Sequence, residues 1–338
     1  MRSRYSHLEF LYTKCKNPYC IRYYTNKYLI ANTKVALTDA VIIRPLTEDD
    51  VPAANRIFRL AFGTFLGLKD PSQFSGDADN IRTRLRADPS AALAAEVSGE
   101  LVGSNFVANW GSVGVFGPLT IHPNLWEKGI AKQLLKSTME YFTKLGTRHI
   151  GLFTWPHSPK HLGLYQKFGF WPRFLTAIMA KQLVADEPKA DQNLTLDKNE
   201  NENKTALEWS RYSELPTAKD QRECLNNCCN LTNSIYDGLD LQLEINSVNT
   251  QRLGDTVLLW EDGSGTGERE KRKLIGLAVC HCGAGTEAGS GVCYIKFGGV
   301  FSGANSPMYF DRLIDVCETF AKGQGLSRLV AGVNTGRY

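Results

Sequence analysis

No stretch of this chain approaches the roughly 18 consecutive apolar residues that a membrane-spanning helix needs, so no membrane partner is expected. Histidine is scarce, with six residues in 338, and cysteine is odd in number at nine. Cys15 and Cys20, Cys224 with Cys228 and Cys229, and Cys280 with Cys282 are close pairs, but no second pair joins any of them at zinc-ribbon spacing. A chain of this length is not a small disulfide scaffold either. The thiols therefore read as reduced side chains of a cytoplasmic protein, with no metal site. The N-terminus lacks the apolar core of a secretory signal. The length provides for two domains, each large enough to bury a core of its own.

Charge is present but unevenly placed. Residues 1–40 hold seven Lys or Arg and two acidic residues, a net +5, so the formal +4 of the whole chain leaves the remainder at −1. The same forty residues carry Tyr5, Tyr12, Tyr19, Tyr23, Tyr24 and Tyr28 and show no clean periodicity. They are expected to be a basic, Tyr-rich extension outside the fold. A targeting segment or a nucleic-acid-binding arm with interleaved aromatics are the alternatives, though no nucleic acid is expected as a partner.

The first domain is placed at 41–183. Val41-Ile42-Ile43 reads as a strand and Thr47-Glu48-Asp49-Asp50 as a helix start of capping-box type. Val51, Ala54, Ile57, Phe58 and Ala61 then recur at helical spacing. A more polar helix is predicted over 79–87, then strands over 91–96 and 101–109 joined by a turn at Ser98-Gly99-Glu100. Residues 113–121 are expected to form one central strand. Helix 128–145 places Ile130, Leu134, Leu135, Met139 and Phe142 on one stripe. His149–Trp155 is a further strand closed by Pro156, and the last strand is expected over 174–180.

The stretch GPLTIHPNLWEKGIAKQLLKSTMEYF, residues 117–142, combines an apolar strand, a short loop and an amphipathic helix. Free N–H groups and the positive end of a helix dipole then meet at one point, which favours a pyrophosphate-bearing ligand. Gly129 allows close backbone approach, Ala131 keeps it narrow, and Lys128, Lys132 and Lys136 add positive charge. Downstream comes HLGLYQKFGF, residues 161–170. Together these segments resemble the GCN5-related N-acetyltransferase (GNAT) superfamily. The carriers are Thr120-Ile121-His122-Pro123, then Trp126-Glu127-Lys128-Gly129-Ile130-Ala131, then Tyr165 ahead of Gly169-Phe170. Trp126 departs from the pattern, standing where the family usually has Gln or Arg.

The polar stretch 185–206 has almost nothing to bury and reads as a linker within 184–206. Beyond it, 207–338 looks like a second, weaker copy. Strands are expected at 256–260, 274–280, 292–300 and 327–333, with a helix at 309–322. The strand-to-helix link FSGANSPMY lacks the Gly-x-Ala spacing and any Lys. The fold expected is α/β, with two tandem GNAT-like mixed-sheet domains, the second degenerate and incomplete.

The resemblance implies direct transfer of an acetyl group from acetyl-CoA to an amine of a small molecule or peptide. It implies that Leu119, Thr120 and Ile121 hold the pantetheine arm by their backbone. Trp126, Glu127, Lys128, Gly129, Ile130, Ala131 and Lys132 would wrap the pyrophosphate, and Tyr165 would protonate the leaving thiolate. No general base stands out among His122, His157, His161 and Glu96, and a water that drains the proton is an equal expectation. Trp110, Trp126, Trp155 and Trp171 read as core or cleft walls. A non-catalytic acyl-CoA-binding sensor is the alternative function. The acceptor is not legible in the sequence, because acceptor pockets are built from variable loops.

Overall fold

The structure, a computed structural model, describes residues 8–14, 40–184, 207–262 and 272–336. The linker at 185–206, Cys15, Cys20 and most of the N-terminal basic stretch lie outside the described residues. The described residues divide into two compact units, one running to Ile178 and taking in Val333 onward, the other Met179–Gly332.

The first unit contains β1 (Leu8–Lys14), β2 (Val41–Pro45), α1 (Val51–Phe65), α2 (Asn80–Ala87), β3 (Ala92–Val97) and β4 (Glu100–Trp110). It continues with β5 (Val113–Phe116), β6 (Thr120–Ile121), α3 (Ile130–Leu145), β7 (His149–Thr154), α4 (Pro159–Gln166) and β8 (Phe170–Gln182). The strands lie in the order β2-β3-β4-β5-β7-β1-β8, antiparallel except for the parallel pair β5 and β7. Strand β1 falls within the stretch expected to lie outside the fold; it pairs with β7 and β8.

Local chemistry accounts for the element ends. The β3–β4 hairpin turns on Ser98 and Gly99, both at positive φ (52° and 82°), the conformation a two-residue turn of matching twist requires. Asp79 caps α2 by accepting from the N–H groups of Ile81 and Arg82. Helix α3 stops at Gly146, at φ 69°. Helices α1 and α2 cover one face of the sheet, packing Val51, Ala54, Phe58, Ile81 and Leu85 on Ala92, Ala94 and Phe106. Helices α3 and α4 cover the other, where Leu135, Phe142 and Tyr165 meet Val107, Phe116, Ile150 and Leu152.

One expected element divides in two. Residues 113–121 form β5 and β6, separated at Gly117-Pro118. Pro118 has no N–H to give a ladder, and Gly117 sits at φ 131°, outside strand geometry. Strand β8 is also longer than expected, starting at Phe170 and not at 174.

At the entrance to α1, the Asp50 carboxylate accepts two bonds from the Arg44 guanidinium, at 2.7 and 2.9 Å, and the Thr47 N–H at 2.9 Å. Arg44 Nε also donates to Glu96, at 2.7 Å. The Arg44 hydrogen bonds hold the Asp50 carboxyl down at about 2. Because the folded value lies below the unfolded one, this stability is present above about pH 4 and is lost as pH falls through about 2. Acid titration of unfolding is expected to show a loss of about 1–2 kcal/mol over that window, and Asp50→Asn should abolish that part of the pH dependence.

The second unit contains β9 (Leu207–Arg211), α5 (Ala218–Ile235), α6 (Gln242–Gln251), β10 (Gly254–Glu261), β11 (Lys273–Gly283), β12 (Gly289–Val300), α7 (Ser306–Gly323) and β13 (Arg328–Asn334). The strand order is β9-β10-β11-β12-β13, with β12 and β13 parallel. From β9 to β13 this repeats the plan of β2 to β7: a strand, two helices, three antiparallel strands, a helix and a parallel strand. Among the described residues nothing in it corresponds to α4 or β8. Leu313, Val316, Cys317 and Phe320 of α7 pack on Val257, Leu259, Ile275 and Ala278. The expected strands and α7 are all present. Helix α5 carries signals not used above: Thr217 accepts from the Asp220 N–H as its cap, and Cys224, Leu225, Cys228, Leu231 and Thr232 are buried at helical spacing.

Candidate active site

The loop between β6 and α3 is built on Trp126. His122 starts a tight turn by accepting from the Asn124 N–H through Nδ1, at 3.3 Å. The Trp126 indole N–H donates to the Ile121 carbonyl at 2.8 Å. Its rings pack beside Ile121, Ile130 and Leu134, and Lys160 Nζ stands 4.6 Å over their centroid. The aromatic side chain thus secures the loop by burial and one hydrogen bond, where the family pattern would place a polar group.

Glu127 and Gly129 then take left-handed conformations, at φ 67° and 86°, and turn the chain into α3. Open space surrounds Gly129, with no heavy atom within 4 Å of where a Cβ would stand. Of the first N–H groups of α3, that of Lys132 donates to the Gly129 carbonyl at 3.1 Å, and those of Ile130 and Ala131 come too early in the helix for an acceptor within it. Lys128 is half-buried beside them; Lys132 and Lys136 are exposed on the same helix. Glu127 adds a carboxylate to the loop and pairs with Lys160 at 3.4 Å, an exposed pair that adds little stability. In the second unit the corresponding link makes a side-chain bond of its own: Ser306 Oγ accepts the Gly303 N–H at 2.7 Å.

Beyond this loop the sheet forks. Strand β5 pairs with β7 up to Val115 opposite Gly151. Among the described residues strand β6 pairs with β4 alone, Gly103 opposite Ile121 and Ser104 opposite Thr120, while β7 runs on to Thr154. Leu119 is half-buried between two core clusters, and the Thr120 and Ile121 side chains are buried. The fork is fixed from the other face by Arg84 of α2, whose Nη1 donates to the Gly117 carbonyl at 2.5 Å. No local sequence signal marks Arg84, since its partner lies 33 residues away.

Tyr165 stands at the fork. Its ring is 6 % exposed and packs edge-on against Phe116, the residue before Gly117, at 6.0 Å, and against Phe170 at 6.5 Å. The other candidates separate. Glu96 is committed to Arg44 at the β2–β3 edge. His122 belongs to the tight turn. His157 and His161 lie with Phe65 and Trp155 past the end of β7, with Phe65 4.8 Å from His161 and 5.9 Å from Trp155. Trp155 is buried, Trp110 half-buried and Trp171 exposed. The described residues contain no group of three or more His, Cys, Asp or Glu placed to hold a metal, and no described helix is long and apolar enough to cross a membrane.

Comparison with known proteins agrees with this geometry. The sequence profile of the Acetyltransferase (GNAT) family matches residues 55–170. An acetyltransferase of Sodalis glossinidius is 28% identical over 108 residues, 32% of this chain and 76% of that protein. One of Yersinia enterocolitica is 27% identical over the same shares. Among solved structures, a GCN5-related N-acetyltransferase from Sphaerobacter thermophilus aligns over 87% of each chain with a TM-score of 0.51 at 13% identity. The GCN5-related glucosamine N-acetyltransferase region of a fungal multi-domain β-N-acetylglucosaminidase covers 88% of this chain and 36% of its own, with a TM-score of 0.53 at 13% identity. These two structural likenesses extend over most of the chain and so take in the fold of both units.

Proposed function

We propose that this chain, whose residues 55–170 match the sequence profile of the Acetyltransferase (GNAT) family, transfers the acetyl group of acetyl-CoA directly to an amine of a small molecule or a peptide. The observation that carries this reading is the forked sheet: β6 parts from β7 directly before a loop that opens onto the N-terminus of α3. The backbone of Leu119, Thr120 and Ile121 would hold the pantetheine arm along the free side of β6. The loop Trp126–Ala131 with Lys132 would hold the pyrophosphate. Acetyl-CoA fits there because a helix N-terminus and nearby lysines favour phosphate, and no heavy atom stands within 4 Å of where a Gly129 Cβ would be.

In the reaction the amine lone pair attacks the thioester carbonyl carbon and the carbon–sulfur bond breaks. The departing sulfur needs a proton, which Tyr165, its ring packed edge-on against Phe116, would donate from its phenol. The described cysteines are free thiols, which supports a reducing, cytoplasmic setting. The first test is calorimetric titration of acetyl-CoA into the full chain and into Gly129→Glu. Micromolar binding is expected for the parent. The variant forces a side chain into a left-handed position and sets a carboxylate against the phosphates, so binding should weaken by at least about 100-fold, about 2.7 kcal/mol. Equal affinity for both proteins would refute the assignment of the loop.

A further inference from the structure

We propose that His161 accepts the proton shed by the acceptor amine, so that the base and the acid of the transfer stand one helical turn apart on α4. The inference rests on the acetyl transfer proposed above and names a residue for the step that reading leaves open.

His161 and Tyr165 are four residues apart on α4, so they share a face, with Cβ atoms about 5–6 Å apart. Tyr165 on that face marks the fork through its contact with Phe116. His161 marks it from the other direction. Its ring meets Phe65 edge-on at 4.8 Å, and Phe65 ends α1, which covers the opposite face of the sheet from α4. A side chain of α1 and one of α4 meet here at the end of the sheet, past the point where β6 and β7 have separated. The imidazole therefore stands at the mouth of the gap proposed for the thioester.

The ring is also held in a usable state. His161 Nδ1 lies 2.7 Å from the Oγ of Ser158, the buried N-cap of α4. In the tautomer whose Nδ1–H donates to Ser158, Nε2 keeps its lone pair, and it makes no hydrogen bond to a described residue. Titratable neighbours come from α4 and the turn before it, Lys160 and His157; the contact from α1 is the uncharged Phe65. Burial first, then Lys160 and His157, push His161 down to about 4. The ring is thus unprotonated across the neutral range. So weak a base suits a proton taken from the tetrahedral adduct, whose ammonium nitrogen is bonded to the former carbonyl carbon and is far more acidic than the free amine's.

The step balances as follows. The amine nitrogen forms the C–N bond, Nε2 of His161 takes one N–H proton, and the C–S electron pair leaves with sulfur. Sulfur takes the Tyr165 O–H proton. Water then removes a proton from His161 and returns one to Tyr165, giving amide and thiol.

The test uses the full chain, acetyl-CoA and three acceptors (spermidine, 2-phenylethylamine and a peptide with a free N-terminus), with thiol release followed from pH 6 to 10. His161→Gln should bind acetyl-CoA within about twofold of the parent, which also shows that it folds. Its kcat should fall about 100-fold at pH 7, and the deficit should shrink as pH rises and hydroxide takes the adduct's proton in place of His161. Added imidazole should restore at least about tenfold to His161→Ala. A His161→Gln profile within twofold of the parent at every pH overturns the proposal. A parent that binds no acetyl-CoA, or binds it and releases no thiol with any acceptor, overturns the transferase reading itself, and that is seen before any variant is compared.

Discussion

Tyr165→Phe is expected to lower kcat by about 100- to 1,000-fold while acetyl-CoA affinity stays within about twofold. The ring, not the hydroxyl, makes the contacts with Phe116 and Phe170, so removing one oxygen leaves the packing at the fork in place. What is lost is the proton that neutralises the departing thiolate, an interaction made only as the carbon–sulfur bond breaks. Such a loss appears in kcat and not in cofactor binding. Single-turnover acetyl transfer beside calorimetric acetyl-CoA binding separates the two quantities. Unchanged turnover would give the thiolate its proton from water and make Tyr165 a packing residue. Intact binding with no turnover in the parent would favour the acyl-CoA-binding sensor over the enzyme.

Phe142→Ala is expected to destabilise the first unit by about 3–5 kcal/mol. Phe142 is fully buried (0 % exposed) on α3 and packs beside Phe116, 6.4 Å between centroids, so its ring supports the strand that leads to the fork. The strand beneath it leaves no room for adjustment: a Cβ on Gly114 would collide with the Phe142 ring. Gly114→Ala alone should therefore also destabilise, while the same change in the Phe142→Ala background should fill part of the cavity and cost less. Urea unfolding of the four proteins measures this coupling, and simple additivity of the two changes would show that the ring and the glycine do not share space.

Both results bear on how much was legible beforehand. The buried stripe of α3 was, because Ile130, Leu134, Leu135 and Phe142 recur with the helical period. The turn at Ser98-Gly99 was, because its residue types fit positive φ. The loop proposed for the phosphates and Tyr165 were singled out through resemblance, as order and spacing along the chain. Spacing alone did not show that Trp126 bonds the Ile121 carbonyl and carries Lys160 on its ring. Nor did apolarity reveal the break at Gly117-Pro118: residues 113–121 read as one strand, since the sequence scale registers hydrophobicity more strongly than a missing N–H. In the second unit, helix α5 went unread because its polar residues obscured a stripe of small thiols and leucines.

The sequence by itself determined the two-unit α/β plan, the element types, the faces of the main helices and the position of the loop. Each of these depends on residues close in the chain, where hydrophobic period, caps and turn residues act locally. Tertiary structure decided the rest. Only folding brings Arg84 of α2 to the Gly117 carbonyl and Phe65 of α1 to His161 of α4, and only pairing shows β6 attached, among the described residues, to β4 alone. It also took Glu96 out of contention by giving it to Arg44. These relations join residues dozens of positions apart, and no local pattern encodes them, because contact between distant side chains is fixed by how the sheet and its two helical layers close around one core.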